Sequence, residues 1–283
     1  MIAFLGTGLL GSGFVRAFRR RGEPVQVWNR TPEKARALAA DGAVPCADPA
    51  QAVRGAARVH LALSDDAAVD AVLEAARPAL APGVALVDHT TTSAAGTAAR
   101  AARWQARGVT FQHAPVFMGP VNALEGTGLM LASGDRARFD ALAPALEEMT
   151  GKLAWLGPQE ERAAGLKLIG NLFLVAMTSG LIDALALGKA QGIPPADAAA
   201  LFDLFNPGAL VPARMKRILA GDHAHPSWEL GMARKDTRLM LEAAAAAGVP
   251  LTAIPAIAAR MDEVLAEGHA HSDWTVLAKD LIR

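Results

Sequence analysis

Cysteine is nearly absent from this chain of 283 residues. The single thiol, Cys46, excludes an internal disulfide framework and suits a reducing compartment, so a cytoplasmic location and a structural thiol are expected. A dominant charge is absent as well. Lys plus Arg is 28 and Asp plus Glu is 28, which leaves no net field to recruit nucleic acid or an anionic membrane surface; the expected partner is a small molecule. The opening residues MIAFLGTG lack the basic flank and cleavage site of a signal peptide, and no lipidation signal is expected. A long uncharged run is missing too: Lys167 and Asp183 bracket only 15 apolar residues, short of the roughly 20 a bilayer requires. His223, His225, His269 and His271 come in pairs without an HExxH or acidic ligand set, so no metal site is expected.

What is present is apolar material, 52% of the residues, enough for two cores in a chain of this length. The expected domains are 1–158 and 159–283. The first begins with a short apolar run, Ile2 to Leu5, that ends in Gly6-Thr7-Gly8-Leu9-Leu10-Gly11 and continues into a helical stripe of Phe14, Val15 and Phe18. Strand, glycine turn and helix form in that order. Gly6 is expected to make the tight turn, Gly8 to let backbone approach a pyrophosphate, and Gly11 to let helix and strand pack closely, with the helix N-terminus supplying amide donors.

A second strand, PVQVWNR, follows at the distance a dinucleotide-binding unit requires. An Asp or Glu at its end would bond a ribose 2′-hydroxyl and repel a 2′-phosphate; the sequence has Asn29 there, followed by Arg30 and Thr31, with Lys34 a turn later. A guanidinium, a hydroxyl and an ammonium suit a phosphate, so NADP is expected and NAD is less favoured.

Further strands are predicted at Arg58 to Leu63, Val84 to Val87, Val109 to Val116, Leu129 to Ala132 and Leu153 to Leu156, giving an α/β fold with a doubly wound sheet. Ligands in such sheets lie beyond the carboxyl ends of the strands, which singles out Leu63-Ser64-Asp65, Asp88-His89-Thr90-Thr91 and His113 to Pro120. Thr91 is the preferred candidate among their hydroxyls.

Glu161 to Gly188 reads as one long helix, apolar almost all round, expected to be buried on most faces and to run between the domains. Lys167 and Asn171 are four apart and share a face, with Gly170 beside them leaving room for something flat to approach. A catalytic pair is one reading, and a snorkelling lysine with a loop-bonded asparagine is the other. The rest is expected to be all-α: Pro195 to Phe205, Pro212 to Leu219, Trp228 to Ala247, Leu251 to Glu267 and a short helix from Trp274.

Four motifs resemble those of the β-hydroxyacid dehydrogenases, the family of 3-hydroxyisobutyrate dehydrogenase and glyoxylate/succinic semialdehyde reductase, related to 6-phosphogluconate dehydrogenase. They are the turn from Gly6 to Gly11, the segment HAPVFMGPVNALEGTGLMLASG, the stretch Gly165 to Asn171, and Lys235-Asp236. The resemblance implies a dehydrogenase or reductase, acting on a small hydroxy acid, aldehyde or keto acid as a homodimer or homotetramer. It further implies that Lys167 is the acid/base, that Asn171 and the loop with Val116, Phe117, Met118 and Gly119 hold substrate, and that Thr91 and Lys235 contact the cofactor. Imine reductases share the fold but generally lack the lysine, and a noncatalytic NADP-binding protein would be expected to lose Lys167 or Asn171. One departure stands out: Phe117-Met118-Gly119 occupies the place of the family's usual Ser-Gly-Gly, exchanging a hydroxyl for two bulky apolar groups.

Overall fold

The structure is a computed structural model and describes Met1–Ile282. Its first half alternates strands and helices: β1 (Ile2–Leu5), α1 (Leu9–Arg20), β2 (Val25–Trp28), α2 (Pro32–Arg36), β3 (Val44–Pro45), α3 (Pro49–Val53), β4 (Arg58–Leu61) and α4 (Asp66–Ala76). The pattern continues with β5 (Ala85–Asp88), α5 (Ala94–Ala106), β6 (Thr110–His113), β7 (Val116–Phe117), α6 (Pro120–Glu125), β8 (Leu129–Ala132), α7 (Arg136–Glu147) and β9 (Lys152–Trp155). The first six strands form a parallel sheet in the order β3-β2-β1-β4-β5-β6. Its central strand, β1, is buried on both faces, which explains why IAFL has no polar alternation. Side chains still point alternately: Ile2 and Phe4 join Phe14, Phe18 and Val27 in one core, while Ala3 and Leu5 join Leu61, Leu73 and Trp104 in the other. From β1 the chain builds outward through β2 and β3, then returns to the opposite side of β1 as β4, so the strand order reverses between β1 and β4. A crevice at the carboxyl ends of those two strands follows from that reversal.

The expected strand Val109 to Val116 is two strands in two sheets. The Ala114 N–H still donates to the Asp88 carbonyl at 2.7 Å, but Pro115 has no N–H to continue the ladder, and its own carbonyl turns to accept from Leu131 N–H at 2.9 Å. The large sheet therefore ends at β6. β7, β8 and β9 form a separate three-stranded sheet, antiparallel between β7 and β8 and parallel between β8 and β9.

α8 (Arg162–Ala190) follows, 29 residues and about 43 Å long. The chain divides into two compact units within this helix, after Asn171. Its expected burial is not observed in the single chain: Leu172 is 71% exposed and Val175 70%. A helix that is apolar all round presents side chains in every direction, and a single chain covers few of them. By length and composition α8 would also reach across a bilayer, although its two bracketing charges, Lys167 and Asp183, are both buried in protein.

The second unit continues with α9 (Pro195–Leu204), α10 (Val211–Ala220), α11 (Leu230–Ala246), α12 (Ile254–Ala266) and a short 3-10 turn at Trp274–Ala278. Its core gathers Leu230, Ala233, Met261, Val264 and Val276. Asp183 anchors α8 to α12, its carboxylate accepting from the amides of Thr252 at 2.6 Å, Ala253 at 2.8 Å and Ile254 at 3.1 Å. Those are otherwise unpartnered donors at a helix start, and they hold the carboxyl below its usual range.

Candidate functional site

Two glycines of the opening turn are fixed by close contact and one faces open space. Gly6 has φ +100°, and a Cβ there would lie 2.8 Å from Leu63 Cδ2. A Cβ on Gly11 would run into the Gly6 carbonyl oxygen. On Gly8 it would meet nothing within 4 Å, so the Gly8 backbone borders an opening. Leu9 and Leu10 are the first residues of α1, whose N-terminus points its free amides the same way. Thr7 is buried, and its N–H donates to Asn29 Oδ1 at 3.0 Å, while Asn29 Nδ2 donates to the Thr31 carbonyl at 2.9 Å.

The opening is a pair of adjoining cavities. The larger, about 520 Å³, is lined by Gly6, Gly8, Asn29, Arg30, Thr31, Lys34, Leu63 and Ser64, and its apolar wall is Trp28 with Ala68, Ala71 and Ala75 of α4. The smaller, about 310 Å³, shares Gly8, Leu63 and Ser64 and adds Leu9, Leu10, Gly11, His89, Thr90 and Thr91. Arg30, Thr31 and Lys34 are all exposed on the larger cavity. Thr91 is exposed on the smaller, whereas Thr90 is buried and accepts the Leu63 N–H at 3.0 Å. The cofactor candidates of the first unit thus converge, with Thr7 set behind the turn. Lys235 belongs to the second unit, on α11, where its ammonium pairs with Asp236 at 2.8 Å.

Trp28 and the alanine face of α4 were not anticipated from the sequence. The signal was legible: an aromatic side chain beside Asn29, and small residues at i, i+3 and i+7 of a helix following the fourth strand.

Behind the smaller cavity runs a buried chain of hydrogen bonds. Arg58 Nε donates to His60 Nε2 at 2.6 Å, so His60 Nδ1 is the donor to His89 Nε2 at 2.9 Å, and His89 Nδ1 donates to the Ala114 carbonyl at 2.7 Å. Both rings are therefore neutral and held in one tautomer. They stack 5.2 Å apart, and burial lowers the His60 pKa well below its ordinary value and that of His89 to about 4. His89 is at once the inner wall of the cavity and the end of this chain.

The other candidates gather at the start of α8. Ser133, just past β8, accepts the Ala163 N–H at 2.9 Å and donates to the Glu160 carbonyl at 3.1 Å, which fixes where the helix begins. One turn on, Lys167 is buried, and burial alone lowers its pKa. Its Nζ lies 3.9 Å from the centroid of the Phe117 ring. Gly170, on the next turn, has no side chain to block that ring: a Cβ there would lie 2.7 Å from Phe117 Cε1. The flat group for which Gly170 leaves room is thus the chain's own phenyl ring. Asn171, half-buried, lies one turn beyond Lys167 on the same helix.

Of the loop residues, only Phe117 faces Lys167. Val116 is buried in the core of the first unit and Met118 packs against that same core, as strand alternation requires. The Gly119 N–H is already taken, donating to Asn122 Oδ1 at 2.9 Å at the start of α6.

An open parallel sheet, with a glycine turn and a cavity where its strand order reverses, defines a dinucleotide-binding protein. Residues 1–157 match the family described as the NAD binding domain of 6-phosphogluconate dehydrogenase, and residues 162–281 the family described as NAD-binding of NADP-dependent 3-hydroxyisobutyrate dehydrogenase. The chain belongs to the β-hydroxyacid dehydrogenase family. It is similar to the human cytokine-like nuclear factor N-PAC, 31% identical over 251 residues, a match covering 85% of this chain and 44% of that protein, so it spans less than half of that relative's length. Glyoxylate/succinic semialdehyde reductase 1 of Arabidopsis thaliana is 27% identical over 246 residues, covering 85% of this chain and 84% of that one. Among solved structures, an imine reductase from Myxococcus stipitatus in complex with NADP+ aligns with a TM-score of 0.93 at 22% identity, covering 99% of both chains, which shows the shared fold.

Proposed function

We propose that this chain is an NADP(H)-dependent oxidoreductase that transfers hydride between the nicotinamide and a small hydroxy acid, aldehyde or keto acid, with Lys167 as the general acid/base. The observation that carries the reading is that Lys167 is buried with no anion among the described residues to neutralise it. A lysine whose pKa is lowered by burial gives up a proton nearer neutrality than a surface lysine does. In the reductive direction the ammonium gives its proton to the carbonyl oxygen; in the oxidative direction the amine takes the hydroxyl proton. Asn171 orients that oxygen from the same helix face. The bound cofactor supplies or accepts the hydride.

The residues present fit that cofactor. The bare Gly8 backbone borders both cavities and the first residues of α1 border the smaller, as a diphosphate requires. Arg30, Thr31 and Lys34 line the larger cavity with the charges and hydroxyl that recognise a 2′-phosphate, and Asn29 places no negative charge there. Thr91 and Lys235 are assigned to cofactor contacts in this reading. With the Gly119 amide committed to Asn122, a substrate carboxylate has one donor fewer than the loop would otherwise offer.

The same reading sets the domain boundary at 158/159, supported by the family matches that end at 157 and restart at 162. It assigns the exposed apolar face of α8 to a homodimer or homotetramer and the enzyme to the cytoplasm. Imine reduction is the alternative; the shared fold supports it, while the presence of Lys167 favours hydroxy-acid or aldehyde chemistry. The test is a panel of aldehydes, keto acids, hydroxy acids and cyclic imines assayed with both cofactors, for the parent chain and Lys167→Ala. Carbonyl reduction that needs NADPH and Lys167 supports the proposal; turnover of imines alone, or none with NADPH binding intact, overturns it.

A further inference from the structure

We propose that Phe117 positions Lys167: its ring, seated against the bare Cα of Gly170, is the surface on which the lysine ammonium rests. The inference rests on the reading of Lys167 as the acid/base and adds what holds that group in place. Three observations meet at one point. The Nζ lies 3.9 Å from the ring centroid, well within the range where the negative face of an aromatic ring attracts a cation. Gly170 is the only residue type that admits the ring, because a Cβ would lie 2.7 Å from Cε1 and closer still to Cζ. Strand alternation then turns Phe117 alone toward α8, with Val116 and Met118 directed into the core.

A long, flexible lysine has many rotamers, and holding it in one costs entropy. The ring offsets part of that cost without a counter-ion. A carboxylate in its place would raise the lysine's pKa and tie up its proton, whereas a phenyl face attracts the ammonium more weakly and excludes water on one side. Phe117 and Gly170 therefore form one device, and each is of use only in the presence of the other.

The test is competitive labelling of the full-length protein with acetic anhydride across pH, read by peptide mass spectrometry. For Lys167 it gives both the rate at which the neutral amine reacts and the midpoint of its titration, and it needs no substrate. Phe117→Leu should raise the limiting rate about tenfold, because the ring no longer shields the amine, and lower the midpoint, because the leucine stays apolar but lacks the ring face that favours the ammonium. Phe117→Tyr should restore the parent profile. Gly170→Ala should reproduce the effect of Phe117→Leu by evicting the ring, and combining the two should add little to either, since interacting sites are not additive. Limiting rates within twofold of the parent in Phe117→Leu and Gly170→Ala, or additive effects in the double variant, would overturn the proposal. A role for Lys167 in turnover is read separately from Lys167→Ala, so either claim can fail alone.

Discussion

Asn29 Oδ1 accepts the backbone N–H of Thr7 at 3.0 Å, joining the end of β2 to the glycine turn after β1. Its amide nitrogen also donates to the Thr31 carbonyl at 2.9 Å, so one side chain holds both rims of the larger cavity. An aspartate could accept from Thr7 but not donate to Thr31, and it would bring a negative charge beside Arg30. Asn29→Asp should therefore weaken NADP(H) by tenfold or more while sparing NAD(H), a ratio set by about 1.5–3 kcal/mol per charge-assisted contact. Arg30→Ala should move the same ratio in the same direction. Fluorescence titration of both cofactors measures it, and an unchanged ratio in both variants would remove these residues from phosphate recognition.

The glycines separate folding from binding. Gly11→Ala drives a Cβ into the Gly6 carbonyl, backbone against backbone, and should lower the melting temperature by several degrees, as a strain of about 1–3 kcal/mol does. Gly8→Ala meets nothing within 4 Å and should melt with the parent, yet lose cofactor affinity because its methyl group projects into the cavity. Thermal melts with and without NADPH distinguish the two; equal destabilisation by both would contradict the geometry.

Acid should loosen the first unit. His60, His89 and His113 are fully buried and their pKa values are lowered, first of all by burial, whereas unfolded histidine titrates at about 6.5. Below that pH the unfolded chain binds protons that the folded chain refuses, so stability is fully present above about 6.5 and lost as pH falls toward the folded values. For His89, with its folded value of about 4, the loss amounts to about 3 kcal/mol. Asp88, whose carboxyl is pushed up by burial, works the other way but is one group against three. Urea denaturation at pH 7 and pH 4.5 measures the difference, and equal stabilities would mean the histidine chain is not neutral as its hydrogen bonds require.

Much of this was legible in the chain because local chemistry determined it. The turn from Gly6 to Gly11 and the apolar run before it could form little else, and the polar set at Asn29, Arg30 and Thr31 falls where the second strand had to end. Pro115 was also visible, yet its consequence was not: whether a proline ends a strand or passes the chain to a second sheet depends on the partner that receives its carbonyl, here Leu131. The exposure of α8 was illegible for a related reason, since an all-apolar helix reads as buried whether or not its own chain covers it. Phe117 shows the limit most clearly. Sequence spacing put Gly170 beside Lys167, but the identity of the ring that occupies the gap is a long-range contact between β7 and α8.

Lys167 is the residue on which the functional reading turns. Its replacement by alanine should lower kcat for NADPH-dependent carbonyl reduction about a hundredfold or more, the usual worth of a positioned general acid, while the NADPH dissociation constant stays within about twofold. Turnover of Lys167→Ala at a rate near that of the parent, on a carbonyl substrate the parent reduces, would show that the proton comes from another group.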